Sequence, residues 1–195
     1  MALTVVTSPT VEPVSLDEAK AHLRVDVEDE NDQIRALITA ARQYIETFTG
    51  RALCTQTWDL KLDAFPCSDT LWLRKPPVSS VTSITYLDTA NVSQTWSASN
   101  YLTDLPAGEQ ATFARITPAY GVVWPSTYSV INAVTVRFVC GYGATGATVP
   151  EGLRQAMKLM IGHLYGFREP AMAGTTVTPI PTALDAVLWP FVVGA

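Results

Sequence analysis

Between Asp29 and Gly50 the chain reads DENDQIRALITAARQYIETFTG, and Ile34, Leu37, Ile38, Ala41, Ile45 and Phe48 recur at the spacing that lines one face of a helix. Arg35, Thr39, Arg42, Gln43 and Glu46 fall on the other faces, where this reading leaves them in water. Asp29, Glu30 and Asp32 place negative charge at the positive end of the helix dipole, Asp29 or Asn31 offers a cap, and Gly50 supplies a left-handed stop. The spacing predicts a helix of roughly five to six turns. An apolar stripe of that length has to be covered, and two other segments carry a matching face.

The first is Val14–Leu23. Ser15 and Glu18 form a capping-box pair, and Leu16, Ala19 and Leu23 point one way. The second begins at Thr148-Val149-Pro150-Glu151, another capping-box spacing with Pro150 in the first turn, and runs through Leu153, Ala156, Met157, Met160, Ile161 and Leu164 to Glu169-Pro170. Gly162 inside it marks a close approach between helices.

Between these helical stretches the period drops to two. Gln56–Asp63 alternates Trp58, Leu60 and Leu62 against Asp59, Lys61 and Asp63; Leu71–Arg74, Val81–Leu87 and Val134–Cys140 alternate likewise. Shorter strands are expected at Thr95–Ser97, Tyr101–Thr103 and Ala114–Thr117, divided by Pro66, Pro76-Pro77, Asp88–Asn91, Pro106–Gly108 and Pro118. The elements sum to an α+β protein. A small helical bundle (two N-terminal helices plus a C-terminal helix, residues 1–52 and 148–170) carries an inserted antiparallel β-rich domain, residues 53–147. Met1–Pro13 reads as extended chain. Residues 171–195 read as an extended Gly, Thr and Pro tract followed by a short apolar helix from Thr182 to Leu188.

That tail concentrates Leu184, Val187, Leu188, Trp189 and Phe191 in a segment too short to fold alone, so it is read as a partner-binding anchor that orders on its target. Packing back on its own helices is the alternative.

Composition narrows the function classes. Charged residues make up 16% of the 195, against about 25% in a typical soluble domain, which suits either a well-buried monomer or a chain whose surface is largely covered by other subunits. The net charge of −5 lacks the basic balance that grips phosphates. Cys54, Cys67 and Cys140 are odd in number and widely spaced, which reads as free thiols in a reducing compartment. The apolar run Ala186–Ala195 is broken by Pro190 and falls short of the roughly 20 residues that span a bilayer. With no signal-peptide pattern at the N-terminus, a soluble protein made inside the cell is expected.

Catalytic and ligand motifs do not gain support. Gly141-Tyr142-Gly143-Ala144-Thr145-Gly146 matches the dinucleotide fingerprint, but Pro150 separates its glycines from the helix and no acidic residue follows at the required distance. It reads as a glycine-rich turn. His22 and His163 are isolated histidines, the first exposed and the second structural. Trp72, Trp96, Trp124 and the tyrosines could form a ligand-binding row, but Trp58 and Trp72 lie in or beside strands and read first as core or inter-subunit contacts. No catalytic residue, cofactor or metal is expected.

In order along the chain, Val14-Ser15-Leu16-Asp17-Glu18-Ala19-Lys20, Leu23-Arg24-Val25-Asp26, and Asp32 with Ile34 through Gly50-Arg51 resemble the N-terminal signature of phage head–tail connector (adaptor) proteins. The resemblance continues through Gln56-Thr57-Trp58, Pro76-Pro77-Val78, Ile84-Thr85-Tyr86, Trp124-Pro125, Gly141-Tyr142-Gly143, Val149-Pro150 and Leu164-Tyr165 to Arg168-Glu169. It implies the long form of the family, with a β-rich insertion, and a structural role at the virion neck after assembly in the host cytoplasm. The implied partners are copies of itself in a ring, typically of twelve, a portal protein above, and a stopper or tail-completion protein below. Packaged DNA passes through the lumen without specific binding, and no membrane is involved. Such rings also occur in gene transfer agents. The tail anchor is then expected to dock on the portal or a neighbouring subunit. The alternatives are another neck or tail-completion protein, or a ligand-binding or enzymatic module.

Overall fold

The protein is described by a computed structural model over residues 1–166 and 182–193. It divides into two compact units, Met1–Thr10 with Thr55–Tyr142, and Val11–Cys54 with Gly143–Ala195. The α+β class is as the sequence patterning predicts: the described residues form four helices and two antiparallel sheets.

Among the described residues, the first unit holds every strand. β1 (Ala2–Thr7), β2 (Gln56–Leu62), β4 (Val78–Leu87), β5 (Ser93–Trp96) and β8 (Val134–Cys140) form one antiparallel sheet in the order β1-β2-β8-β4-β5. β3 (Leu71–Leu73), β6 (Tyr101–Asp104) and β7 (Ala114–Pro118) form a second, ordered β3-β7-β6. The N-terminal strand was not foreseen. Ala2–Thr7 pairs with Lys61–Thr57 of β2, because an uncharged Leu-Thr-Val-Val-Thr run beside an unpaired strand forms ladder bonds at little cost. It therefore belongs with the sheets, not with the helices that follow it in sequence.

Alternation sets the core. Val134, Val136, Phe138 and Cys140 of β8 are buried, as are Leu60, Ile84, Leu71, Leu73 and Ile116. The two sheets are joined by aromatic rings: Trp96 of β5 stacks on Tyr101 of β6 at 5.4 Å, and Trp124 stacks on Phe65 and tilts against Trp96, both at 4.9 Å. Of the candidates for a ligand row, Trp96 is buried in the core and Trp124 half-buried beside it; Trp58 is half-buried, and Trp72 stands half exposed.

One polar position departs from the expected pattern. Asp59 is buried, not solvated, because β2 and β8 pair it directly with Arg137, which donates to both carboxylate oxygens at 2.8 and 2.9 Å. The guanidinium holds the Asp59 carboxyl below its ordinary range. A depressed carboxylate stabilises the fold above its unfolded pKa of about 4, and that contribution is lost as pH falls through the lower folded value. The stability gap between wild type and Asp59→Asn is therefore expected to be full at neutral pH and to shrink below about pH 4 in urea titrations. A gap independent of pH would contradict this assignment.

The second unit holds α1 (Leu16–Leu23), α2 (Asn31–Thr49), α3 (Glu151–Gly166) and α4 (Thr182–Leu188). α2 buries Ile34, Ile38, Ala41 and Ile45, the predicted stripe, with Leu37 and Phe48 at its half-buried margins. Each fully buried large side chain contributes about 1.5–3 kcal/mol. Gly50 ends the helix at φ 73°, as expected. At the other end, neither Asp29 nor Asn31 caps it. Glu30 occupies the cap position without a side-chain cap bond and instead accepts from the Tyr165 hydroxyl of α3, while Asn31 accepts from Lys20 Nζ at 3.0 Å.

Arg42 and Glu46 also depart from expectation, being 7% and 9% exposed where a solvated face was predicted. Arg42 donates to Glu12 at 2.7 Å and to Glu46 at 3.0 Å, and Glu46 accepts the Leu53 N–H at 2.9 Å. Glu12, ahead of α1, and Leu53, just after α2, are thereby tied over part of the polar face of α2, while Arg35 and Gln43 stay exposed.

The capping box at Ser15 and Glu18 forms in both directions. Glu18 is held below its ordinary range, first by the Ser15 backbone N–H and then by Arg154. Thr148 does not pair with Glu151; its hydroxyl donates to Thr145 at 2.6 Å, and Pro150 precedes α3, offering its carbonyl to Leu153 and Arg154. Glu151 is drawn instead to Arg154.

Candidate partner-binding segment

The C-terminal segment is held at the junction of α2 and α3. α4 continues into a 3-10 turn, Trp189–Phe191, whose end is tied to the C-terminus of α2. Arg51, nearly fully buried, donates from Nε to the Phe191 carbonyl at 2.5 Å, and the Val193 N–H donates to the Thr49 carbonyl at 3.0 Å. The Phe191 ring lies so close to α3 that a Cβ on Gly152 would come within 3.1 Å of it. An alanine there would need the Phe191 ring to shift by a few tenths of an ångström.

Side by side, the five residues predicted as an anchor divide into two groups. Leu184, Leu188 and Phe191 are buried within the unit, so the apolar surface that pointed to a partner is largely covered by the chain's own helices. The reason is geometric. Leu184, Leu188 and Phe191 repeat at helical spacing and share one face, whereas Val187 is half-buried and Trp189 is turned outward. Trp189 remains 66% exposed beside exposed Pro190. The tract from 171 to 181 that was expected to be extended, and the predicted helix end at Glu169-Pro170, lie outside the described residues.

Other sequence candidates are placed as follows. The glycine motif is a close-packed turn: a Cβ on Gly146 would sit 2.6 Å from the Pro13 carbonyl, which leaves no cradle for a phosphate. His22 is exposed, with its ring 3.5 Å from where a Gly162 Cβ would lie; that is ordinary contact, so Gly162 is not required there for close approach. His163 is half-buried. Cys54, Cys67 and Cys140 are free thiols, and burial together with Glu12 and Glu46 pushes Cys54 up to about 11, far from a reactive thiolate. Among the described residues no group of His, Cys, Asp and Glu is placed to hold a metal ion, and no helix is long and apolar enough to cross a membrane.

Two surface features of the strand-bearing unit escaped the sequence reading. The loop from 119 to 131 exposes Tyr120 fully, Val123 at 81% and Ile131 at 78%. β1 exposes Val5 and Val6. A legible signal existed for both: no charged residue occurs between Arg115 and Arg137, and no charged side chain before Glu12.

Comparison with known proteins supplies the context for these surfaces. No curated protein matches the chain. Its fold is similar to a chain from the neck of an empty gene transfer agent (GTA) particle computed with C6 symmetry, at TM-score 0.81 and 25% identity, covering 100% of this chain and 97% of that one. A chain from the neck of a native GTA particle computed with C12 symmetry matches at TM-score 0.75 and 25% identity over the same shares. A chain of the virion of a native GTA particle shares the fold at TM-score 0.80 and 24% identity, again covering 100% and 97%. Residues 12–178 match the family model of head completion proteins, which takes in the helical elements α1, α2 and α3 and all of the inserted strands, and the chain belongs to the head completion protein family.

Proposed function

We propose that this protein is a structural component of the particle neck, a head–tail connector that completes the DNA-filled head. The observation that carries this reading is the end-to-end correspondence with a GTA neck chain, 100% against 97% of the two lengths at TM-score 0.81, combined with family membership. A role as a member of a symmetric ring accords with the C6 and C12 symmetry of the necks that hold the similar chains. Twelve copies, a portal above and a stopper or tail-completion protein below form the finer reading. A net charge of −5 per copy suits a conduit that does not retain passing DNA.

Within that reading, the outward side of the C-terminal segment is the portal-facing or neighbour-facing anchor. Buried Leu188 and Phe191 form a fixed pedestal from which Trp189 projects, so its contact costs little ordering entropy. Trp189→Ala is expected to leave the melting curve unchanged but to weaken attachment by about 30-fold, the equivalent of a 2 kcal/mol aromatic anchor. The measurement is binding to portal-bearing heads, followed by electron microscopy of the particles formed. Full binding by the variant would remove the anchor; normal tailed particles without the protein would remove the connector reading itself.

An enzymatic reading is tested separately. Replacing His22 and His163 together with Ala is expected to leave the yield of active particles close to wild type. A well-folded double variant with a severe defect would reopen that reading.

A further inference from the structure

The loop from 119 to 131 and the strand β1 pose one physical problem between them. The loop is apolar, uncharged and exposed, yet it is not loosely hung. Trp124, near its middle, stacks on Phe65 and tilts against Trp96, and its indole N–H donates to the Ser68 carbonyl at 3.0 Å. A half-buried aromatic residue held by two rings and a hydrogen bond thus roots the loop that presents Tyr120, Val123 and Ile131 to solvent. Surfaces of this kind, rigid at the root and apolar at the tip, are built to be covered.

β1 is the corresponding problem at the sheet edge. Among the described residues it pairs only with β2, leaving its other side as an open row of backbone donors and acceptors. Protected edges carry charge or proline, and β1 carries neither. Its register shifts between Val5 and Thr7, with Val6 at the irregularity, and Val5 and Val6 are both exposed.

We propose that these two surfaces meet between copies: the 119–131 loop of one subunit seats on the β1 edge of its neighbour, and this head-to-tail contact closes the ring. The occupant is a second copy for a reason of charge. Copies of a chain with net charge −5 repel one another, so a contact between them avoids charged surface. The residues between Arg115 and Arg137 and those before Glu12 are two stretches without charged side chains that also expose apolar residues. A ring also requires two different complementary surfaces per copy, which a loop and a strand edge provide. Direct joining of β1 to the β5 edge of the next copy fits less well. Twist of about 20–25° per strand over the four steps from β1 to β5 sets the two edges nearly crosswise.

The inference rests on the ring reading above, and the test separates the two. In the full chain with exposed Cys67 replaced by Ser, Val6→Cys and Ile131→Cys are introduced in separate preparations, mixed under oxidising conditions, and the cross-linked products weighed. The mixed disulfide is expected to exceed either homodisulfide by about tenfold or more, because association places the two thiols together at high effective concentration. The double-cysteine chain is expected to give a ladder of linked subunits. Val123→Glu with Ile131→Glu, and separately Val5→Glu with Val6→Glu, are expected to keep the wild-type melt and to be excluded from necks. If wild type forms rings while the mixed disulfide is no more abundant than the homodisulfides, the proposed contact is wrong and the ring stands. If the loop variant is excluded but the β1 variant enters necks normally, the loop meets a different neck protein and the proposal fails. If wild type itself never forms rings, alone or in particles, the ring reading falls with it.

Discussion

Removal of residues 182–195 is expected to unfold the helical unit, not merely to release a tether. Leu184, Leu188 and Phe191 are all buried, and the Arg51 and Val193 bonds that close this segment onto α2 vanish with it. Truncation of one such side chain costs about 2–5 kcal/mol, so losing three exceeds most of the about 5–15 kcal/mol that holds a domain folded. Leu188→Ala alone is expected to lower Tm by about 4–20 °C, at about 2–4 °C per kcal/mol for a chain of this size. Trp189→Ala next to it is expected to change stability by no more than about 0.5 kcal/mol, as for an exposed site. Thermal melts of the three variants decide the matter: a deletion that melts like wild type shows that the segment is a free tail and that its packing contributes nothing.

Arg42→Met is expected to have the next largest effect, about 3–5 kcal/mol of destabilisation in urea. The guanidinium is the cation between Glu12 and Glu46, both partly or wholly enclosed, and its removal leaves two carboxylates facing each other in a poorly hydrated site. Adding Glu46→Gln is expected to recover part of the loss, because the amide oxygen still accepts the Leu53 N–H while one uncompensated charge is gone. If the double variant is as unstable as the single one, packing of the Arg42 stem carries the effect and not the charge. The cluster ties the segment before α1 and the segment after α2 to the polar face of α2.

Much of this protein was legible in its residues, and what was legible is local. Period 3.6 gave α1, α2 and α3 because a helix repeats its buried face within a few residues, and the Ser15–Glu18 box formed because its two bonds span a single turn. Val134–Cys140 has its predicted bounds because one alternating run meets breakers at both ends. The ordered set of short motifs, not any single one, carried the family, and with it the neck.

Tertiary structure decided what depends on partners distant in sequence. Ala2–Thr7 became a strand only because β2 offered a free edge more than 50 residues away. Arg42 and Glu46 look like solvated helix residues until Glu12 and the Leu53 N–H are brought over them, and Asp59 looks exposed until register sets Arg137 opposite. The tail shows the same limit most clearly. Hydrophobicity marked Leu184, Leu188, Trp189 and Phe191 alike, since composition does not state direction. Only the packing of α4 against α3 and the end of α2 divided them into a buried pedestal and an outward Trp189.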